Sequence, residues 1–311
     1  MWRLLIENVN PNLVVIGHIM IETIYLSNGK VIGPVLGSPA AYSSVAASSL
    51  RTRTGLATVV GKDMPFYIVN PIIETGVETK GICIKGKTSR SMKLSYDKDG
   101  NKKVSYEKVA PHILIKDIPK EYLKSKAFFI CPIDFEVPIE TIFNLKKLNK
   151  LMMTGLGGHG GTVSTIHPST GSKEDKKVVR DIASNFNIIK TSIEDGLYLF
   201  EDSVSPEEAI KMIHKWGAEV VILTLGGKGS LISNNKDILE IPAVKEKIKV
   251  DATGAGDVYC AAFLSEYLRT EDLYKSGLFA SAAATILIEK TGGVPISRMP
   301  TKKSKGKNKR F

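Results

Sequence analysis

Short apolar runs alternate with amphipathic stretches along most of this chain, and this alternation restricts the fold more than any other feature. Six strand-like runs cover residues 13–19, 56–60, 127–131, 150–154, 187–190 and 219–224. Five helix-like stretches separate them, at 39–50, 65–75, 138–148, 173–185 and 206–215. Short apolar strands that alternate with helices favour a parallel sheet covered by helices on both faces. The sequence therefore predicts an α/β fold built on a mainly parallel sheet.

Two segments depart from this alternation. Residues 22–36 and 81–106 contain strand-like runs and the turn signals Asn28-Gly29 and Asp99-Gly100, with no helix inside either segment. Asn-Gly and Asp-Gly between such runs are typical of β-hairpins. We predict that the two segments pair as a small antiparallel sheet beside the main one.

Length and composition limit the class of protein. The chain has 311 residues, of which 43% are hydrophobic, and this is enough for one large domain with a smaller accessory part. No apolar run approaches the roughly 20 residues of a membrane helix, and residues 1–11 lack the pattern of a signal peptide. The three cysteines are scattered, which argues against a disulfide scaffold and a cysteine zinc site. These features predict a cytoplasmic protein with no membrane partner.

The positive charge is concentrated near the C-terminal end. The formal net charge is +11, from 43 basic and 32 acidic residues, and six of the basic residues lie within 301–311. We expect 301–311 to be a disordered basic tail. Because lysine-rich tails attract nucleic acid, a nucleic-acid-binding protein is one alternative function. No helix-turn-helix, zinc-finger or RNA-binding signature accompanies the charge, so we do not expect nucleic acid as a partner.

A glycine-rich turn before a predicted helix carries the strongest chemical signal. Residues 251–257 read Asp-Ala-Thr-Gly-Ala-Gly-Asp, and an apolar, helix-forming run follows them. The start of a helix presents unpaired backbone N–H groups and the positive end of the helix dipole, which together favour phosphate. A carboxylate beside a phosphate is unfavourable unless it accepts a proton from an attacking hydroxyl. Asp257, in the first turn of this helix, is therefore a candidate general base.

This turn resembles the C-terminal signature of the ribokinase-like (PfkB) carbohydrate kinases. Further motifs resemble landmarks of that family in the same order: Val14-Val15-Ile16-Gly17 with Glu22, Gly37-Ser38-Pro39-Ala40-Ala41-Tyr42, Val60-Gly61-Lys62-Asp63, Thr75-Gly76-Val77, Thr191-Ser192-Ile193-Glu194 and Thr224-Leu225-Gly226-Gly227-Lys228-Gly229. The resemblance covers nearly the whole chain and predicts one kinase domain over residues 12–300.

The resemblance implies a three-layer α/β fold with a small β lid, formed by about 22–36 and 81–106, and transfer of the ATP γ-phosphoryl group to a substrate hydroxyl. Asp257 would be the general base, and the backbone amides of Gly254, Ala255 and Gly256 would form the anion hole. Glu194 would organise Mg²⁺ through water molecules. The ATP site would be lined by Thr224, Gly226, Lys228, Gly229 and Thr253. The charge of Lys228 would either reach the phosphates or simply be solvated.

The predicted acceptor pocket departs from the family pattern. Its residues would be Glu22, at the end of the first strand, with Gly37, Ser38, Tyr42 and Asp251. Glu22 stands where the family usually has Asp, Ser38 replaces the second glycine of a Gly-Gly pair, and Tyr42 replaces a common Asn. A tyrosine here resembles relatives that act on polyols such as myo-inositol.

These departures affect the choice of acceptor more than the chemistry. We predict an ATP-dependent kinase that acts on a sugar or polyol, with a nucleoside kinase and a non-catalytic sugar-binding relative as alternatives. The intact turn through Asp257 argues against the non-catalytic alternative. The resemblance also raises a monovalent cation as a further cofactor and a homodimer formed through the lid.

A second glycine-rich segment matches a nucleotide-binding pattern but lacks the context that the pattern needs. Residues 155–160 match the G-x-G-x-x-G pattern of dinucleotide-binding folds, but the β-branched residues that follow do not open a helix. By position the segment resembles the substrate-side loop of the family, with His159 and His167 nearby as weak candidates for substrate contact. In the second lid segment, Arg90 and Lys93 are expected to face water.

Overall fold

The computed structural model describes residues 10–98, 102–159, 173–195, 200, 204–248 and 250–301. The strands it describes are β1 (Leu13–Ile16), β2 (Met20–Tyr25), β3 (Val31–Gly37), β4 (Thr54–Val60), β5 (Ile82–Ile84), β6 (Arg90–Tyr96), β7 (Lys102–Lys108), β8 (Ala127–Ile130), β9 (Leu151–Gly155), β10 (Ile188–Ser192), β11 (Val220–Thr224), β12 (Ser230–Ser233) and β13 (Ile238–Ile241). The α-helices it describes are α1 (Pro39–Ser49), α2 (Asn70–Glu74), α3 (Ile139–Lys146), α4 (Lys173–Ala183), α5 (Pro206–Lys215), α6 (Ala255–Thr270) and α7 (Leu273–Ile288).

The main sheet has nine strands in the order β13-β12-β11-β10-β9-β8-β1-β4-β5. All neighbours from β11 to β5 pair in parallel, and only β12 and β13 add antiparallel pairs at one edge. The six strand-like runs predicted from the sequence all lie in this sheet. Because parallel strands end at the same edge, the loops after β1, β8, β9, β10 and β11 meet there.

Helices cover both faces of the sheet, which makes the three predicted layers. In β1, Leu13 and Val15 pack in one core cluster with residues of α1, α6 and α7. Val14 and Ile16 point the other way, into a second cluster with residues of α3, α4 and α5. Strand side chains alternate between faces, so these continuously apolar strands are buried on both sides. The α/β prediction is confirmed.

A smaller sheet lies beside the main one, in the order β3-β2-β6-β7, and we call it the lid. Met20, Ile24, Met92 and Leu94 form its own apolar cluster with Ile133 of the main body. The β2–β3 and β6–β7 pairs are antiparallel, but β2 and β6 are parallel. The expectation of a purely antiparallel sheet is therefore wrong, because β2 and β6 both enter the lid from the main body and run the same way.

Two placements also differ from the sequence predictions. Ile82–Ile84 pairs with β4 at the edge of the main sheet, so the second lid segment begins at β6 rather than at residue 81. Glu22 lies inside β2, in the lid, rather than at the end of β1. The Asn28-Gly29 turn is present, with Gly29 at φ 82, whereas Asp99-Gly100 lies outside the described residues. The basic tail from residue 302 onward lies outside them too.

No helix in the described part of the chain is long and apolar enough to cross a membrane.

Candidate active site

The glycine-rich turn enters α6 through a backbone conformation that excludes most side chains. Gly254 is the N-cap of the helix, at φ 81, in the left-handed region that favours glycine. A Cβ atom added at Gly254 would lie 2.5 Å from the ring of Tyr42, so the position also needs glycine for space. The N–H of Ala255 donates to Ala252 O at 3.0 Å, within the turn. This leaves Gly254 and Gly256 as the stronger candidates for amide donors to an anion.

Asp257 lies in the first turn of α6 and lines two cavities at once. The sheet-side cavity, about 170 Å³, is bounded by the ends of β8, β9 and β10 and by α6. The lid-side cavity, about 110 Å³, lies between the lid and α1. A carboxylate shared by two cavities can contact a group in either, which is the position that a base between two substrates requires.

The sheet-side cavity brings together charged residues that are far apart in sequence. Lys190 of β10 and Asp195 line it with Gly256 and Asp257. A Cβ added at Gly256 would lie 3.1 Å from Lys190 Nζ, so the ammonium group is next to the glycine-rich turn. Asp195 is buried, and its Oδ2 accepts from the Ser192 hydroxyl at 2.8 Å. The cavity therefore holds one cation and two carboxylates around a helix N-terminus.

The structure places the predicted metal residue outside this cavity. Glu194 is exposed, whereas the next residue, Asp195, lines the cavity. The same i, i+3 spacing recurs one residue later, between Ser192 and Asp195, which are bonded to each other. Sequence reasoning missed Asp195 and Lys190 because glutamate fitted the motif better and the lysine lies within a strand. Lys190 lies on the same face of β10 as the buried Ile188, and a charged residue on that face was a signal for a polar site.

In the turn after β11, some residues of the predicted ATP site are open to a ligand, whereas others have contacts within the protein. Gly226, at φ 59, has open space where a Cβ would be, and Lys228 is exposed. Gly229, at φ 97, has no room for a Cβ because Ile241 O lies there, so this glycine serves the turn into β12. Thr224 donates to Thr191 O at 3.3 Å and ties the ends of β11 and β10 together.

The lid-side cavity contains most of the predicted acceptor residues. Glu22, Ser38 and Tyr42 all line it, together with Asp257. Glu22 is 1% exposed, and its Oε2 occupies the space where a Cβ on Gly37 would be, so that glycine lets the carboxylate in. The hydroxyl of Ser38 caps α1 by accepting from Ala41 N at 3.1 Å.

The opposite wall of the lid-side cavity is apolar, and sequence reasoning did not identify it. It is formed by Met20, Met92, Val104, Tyr106 and Ile133. A larger cavity of about 580 Å³, the outer lid cavity, adjoins it and shares Thr253 and Gly254 with it. Ile24, Leu26, Ser27 and Tyr96 line this outer cavity from the lid.

Two predicted residues have other contacts than those expected. Thr253, expected in the ATP site, lines the lid-side cavity instead, and its Oγ1 is 3.1 Å from the Tyr96 hydroxyl of the lid. Asp251, expected in the acceptor pocket, accepts from Thr253 N at 2.9 Å and forms an ion pair with Arg298 at 3.2 Å. Asp251 therefore holds the turn, and it lines the outer lid cavity rather than the lid-side cavity that contains Glu22.

The expectation that Arg90 faces water is wrong, whereas Lys93 is exposed as expected. Arg90 is 2% exposed, lies over the Tyr106 ring and pairs with Asp134 of the main body at 3.4 Å. Its charge therefore ties the start of β6 to the body.

His159 is fully buried and bonded to Thr154, and burial lowers its pKa to about 4, so it is a core residue. His167 lies outside the described residues.

A parallel sheet with helices on both faces, a β lid and a carboxylate between two cavities form an arrangement suited to group transfer between two small molecules. The family profile described as "pfkB family carbohydrate kinase" matches residues 10–301. The chain therefore belongs to the pfkB family of carbohydrate kinases.

Known proteins agree with this assignment. The chain is 28% identical to a cytidine kinase of Thermococcus kodakarensis over 288 residues, which is 90% of this chain and 97% of that protein. A putative ribokinase II from E. coli, solved in complex with ATP and Mg²⁺, matches 94% of this chain and 96% of its own with a TM-score of 0.76 at 17% identity. The nucleoside kinase of Methanocaldococcus jannaschii matches 96% and 98% with a TM-score of 0.74 at 20% identity. The two structures show a shared fold.

Proposed function

We propose that this protein transfers the γ-phosphoryl group of ATP to a ribose hydroxyl of a nucleoside. The observation that carries this proposal is the position of Asp257 between the sheet-side and lid-side cavities. ATP would extend its terminal phosphate into the sheet-side cavity, and the acceptor hydroxyl would come from the lid side. Asp257 would accept the proton of that hydroxyl as its oxygen attacks phosphorus.

The groups around the sheet-side cavity would stabilise the transferring phosphoryl. It gains negative charge on its equatorial oxygens in the transition state, and fixed donors there lower the barrier. The amides of Gly254 and Gly256 are at the start of α6, where the helix dipole also favours an anion. The Lys190 ammonium group, next to Gly256, would add a full positive charge.

Asp195 would organise Mg²⁺. Two observations indicate that Asp195 suits this role. Its carboxylate is buried, and it faces Gly157, where an added Cβ would lie 3.4 Å from Asp195 Oδ2, so the glycine leaves space beside the carboxylate. Among the described residues, no three acidic, histidine or cysteine side chains are grouped so that they could hold a metal ion by themselves. Mg²⁺ at kinase sites is usually bound by one or two carboxylates together with substrate phosphates and water. When bound, Mg²⁺ would neutralise phosphate charge.

A matched pair of variants tests the choice of carboxylate. Asp195→Asn is expected to raise the Mg²⁺ concentration for half-maximal activity by about tenfold or more, because outer carboxylate partners typically contribute this much to metal affinity. Glu194→Gln removes the neighbouring exposed carboxylate and should leave that concentration unchanged. The opposite result would return the role to Glu194.

Two adjoining cavities on the lid side support a nucleoside as the acceptor. The lid-side cavity has room for a sugar ring and is lined by Glu22, Ser38 and Asp257, whose side-chain oxygens can hydrogen-bond to hydroxyl groups. The outer lid cavity has the space that a base attached to the sugar needs, with Leu26 and Tyr96 in its wall. The similarity to a cytidine kinase over nearly its whole length supports the same choice.

An ATP-consumption assay with cytidine, uridine, adenosine, ribose and myo-inositol tests this proposal. We expect kcat/KM to be at least about tenfold higher for a nucleoside than for ribose, since the base adds binding in the outer cavity. Ser27→Trp should fill that cavity and lower kcat/KM for the nucleoside but not for ribose. Lys30→Trp, an exposed change on the same hairpin, is the control. Equal loss for both acceptors would contradict the proposed position of the base.

The second candidate is a sugar or polyol acceptor. It is favoured by one observation: the lid-side cavity, at about 110 Å³, is lined by the carboxylates of Glu22 and Asp257 and can be filled by a sugar or cyclic polyol alone. In that case ribose or myo-inositol would be the best substrate in the same assay, and Ser27→Trp would have no effect on it.

A further inference from the structure

Backbone carbonyl groups from two separate stretches of the chain, 251–253 and 287–293, converge on one buried point beside the glycine-rich turn. The carbonyl oxygens belong to Asp251, Thr253, Leu287, Lys290 and Gly293. The side chain of Arg298, 1% exposed, ends at this point. It comes from a short 3₁₀ turn, Ile296–Arg298, near the C-terminal end of the described chain.

The guanidinium group of Arg298 uses every N–H it has. Nη2 donates to Asp251 O at 2.8 Å and Thr253 O at 3.1 Å, and it is 3.2 Å from Asp251 Oδ2. Nη1 donates to Gly293 O at 3.0 Å and to the Tyr42 hydroxyl at 3.1 Å. Nε donates to Lys290 O at 2.8 Å and, more weakly, to Leu287 O at 3.3 Å.

This donor set is the kind that binds a monovalent cation. Several carbonyl oxygens around one point replace the hydration shell of an ion such as K⁺. A carboxylate beside them, Asp251, and the C-terminal end of α7, where Leu287 lies, add further negative potential. Here the point is already held by a permanent positive charge, and a second cation a few ångströms away would be repelled. The residues present therefore do not fit a monovalent cation at this place.

We propose that Arg298 is a built-in substitute for a monovalent cation and positions the phosphate-binding turn. It ties residues 251–253, which lead into Gly254, to the segment after α7 and to Tyr42, whose ring packs under Gly254. The turn is then held in its donor geometry without any ion from solution. The inference rests on the proposed function only in assuming that this turn receives the phosphoryl group.

The first test uses the unmodified protein. Activity and melting temperature are measured in KCl, NaCl and tetramethylammonium chloride at equal ionic strength, with Mg²⁺ constant. Because the site holds its own cation, we expect kcat to agree within about twofold and the melting temperature to be the same in all three salts. Activation by K⁺ of about tenfold or more over tetramethylammonium would overturn the proposal.

The second test removes the built-in charge and supplies a soluble one. Arg298→Ala should lower kcat by about 10²-fold or more with a smaller change in the ATP KM, because fixed donors act mainly in the transition state. Guanidinium chloride at about 20 mM, far below denaturing concentrations, should fill the vacated cage and restore at least about tenfold of the lost activity. Arg180→Ala, an exposed arginine on α4, is the control and should not respond.

The melting temperature separates this inference from the proposed function. Guanidinium or K⁺ that binds the vacated cage should raise the melting temperature of Arg298→Ala but not of Arg180→Ala, whatever the acceptor is. If the added cation raises the melting temperature of Arg298→Ala but does not restore its activity, Arg298 does replace a cation, but the glycine-rich turn does not bind the phosphoryl group. Neither rescue in a folded Arg298→Ala would overturn the inference. If that variant does not fold, the salt series on the unmodified protein decides.

Discussion

The two cavities that meet at Asp257 are built in different ways. The sheet-side cavity is bounded by the ends of β8, β9 and β10, which are fixed by parallel pairing along the sheet and by cores on both faces. The lid-side cavity has one wall from α1 and one from the lid, which is a separate four-stranded sheet. Polar ties join the lid to the body at Arg90–Asp134 and Tyr96–Thr253.

On the proposed function, this difference would separate the phosphoryl-transfer chemistry from the selection of the acceptor. A charge that must meet a phosphoryl group within a few tenths of an ångström belongs on a rigid sheet edge. A wall that must recognise one acceptor and admit it can belong to a part with fewer ties. We therefore expect changes on the sheet side to alter kcat and changes on the lid side to alter the acceptor KM.

Asp257 belongs to both cavities and should give the largest effect. Asp257→Asn keeps the size of the side chain but removes the proton acceptor, so kcat should fall by about 10²–10⁴-fold with the ATP KM nearly unchanged. Steady-state kinetics and ATP titration measure the two quantities. A variant within a fewfold of the unmodified enzyme would show that another group is the base.

Lys190 tests the sheet side alone. Lys190→Met keeps the length of the side chain and removes the charge next to Gly256, so kcat should fall by about 10²–10³-fold, as for other single donors to a transition state. The acceptor KM should stay the same. Lys211→Met, on the exposed side of α5, controls for the loss of one positive charge. If Lys190→Met changed the acceptor KM instead of kcat, the expected separation of roles between the sheet-side and lid-side cavities would be wrong.

Glu22 tests the lid side. Glu22→Gln turns one carboxylate oxygen into an amide donor, and the acceptor KM should rise by about 10–100-fold because hydrogen bonds to a charged group are lost. The ATP KM and the Mg²⁺ requirement should not change. Glu107→Gln, an exposed carboxylate on lid strand β7, is the matched control. An unchanged acceptor KM with a normal fold would remove Glu22 from the acceptor site.

Tyr96 gives a smaller effect that concerns lid closure. Tyr96→Phe removes the hydroxyl that contacts Thr253 Oγ1 and leaves the ring, so the acceptor KM should rise by about two- to tenfold, the range for one neutral hydrogen bond. The rate at saturating acceptor should be close to normal. A fall in kcat with no change in the acceptor KM would mean that this contact shapes the glycine-rich turn rather than the lid.

The sequence predicted the parts of the site that are local in the chain. The turn through Asp257, its helix and the strand–helix alternation depend on neighbouring residues, and the structure contains them. Residues whose surroundings come from distant segments were missed: Arg298 meets Tyr42 across 256 positions, and Arg90 meets Asp134 across 44. A lone arginine gives no sign of which carbonyl groups will surround it, so burial of its charge was not foreseeable.

The lid shows the same limit. Its strands and the Asn28-Gly29 turn could be predicted from local patterns, but the parallel β2–β6 pair depends on how the chain crosses the main body between them. Glu194 and Asp195 differ by one position, and a motif cannot tell which carboxylate faces inward. The homodimer through the lid and the cytoplasmic location stay predictions.

The backbone conformation of Ser38 affects how the thermal stability of this enzyme could be increased. It adopts φ 115, a backbone conformation that favours glycine, and in other residues such strain costs of order 1 kcal/mol. Ser38→Gly would relieve that strain at the expense of a helix cap worth a few tenths of a kcal/mol over glycine. The melting temperature should rise slightly, while the acceptor loses a hydroxyl in its cavity. At this position thermal tolerance and substrate affinity would be selected in opposite directions, and a stabilised variant with an unchanged acceptor KM would show that they are independent.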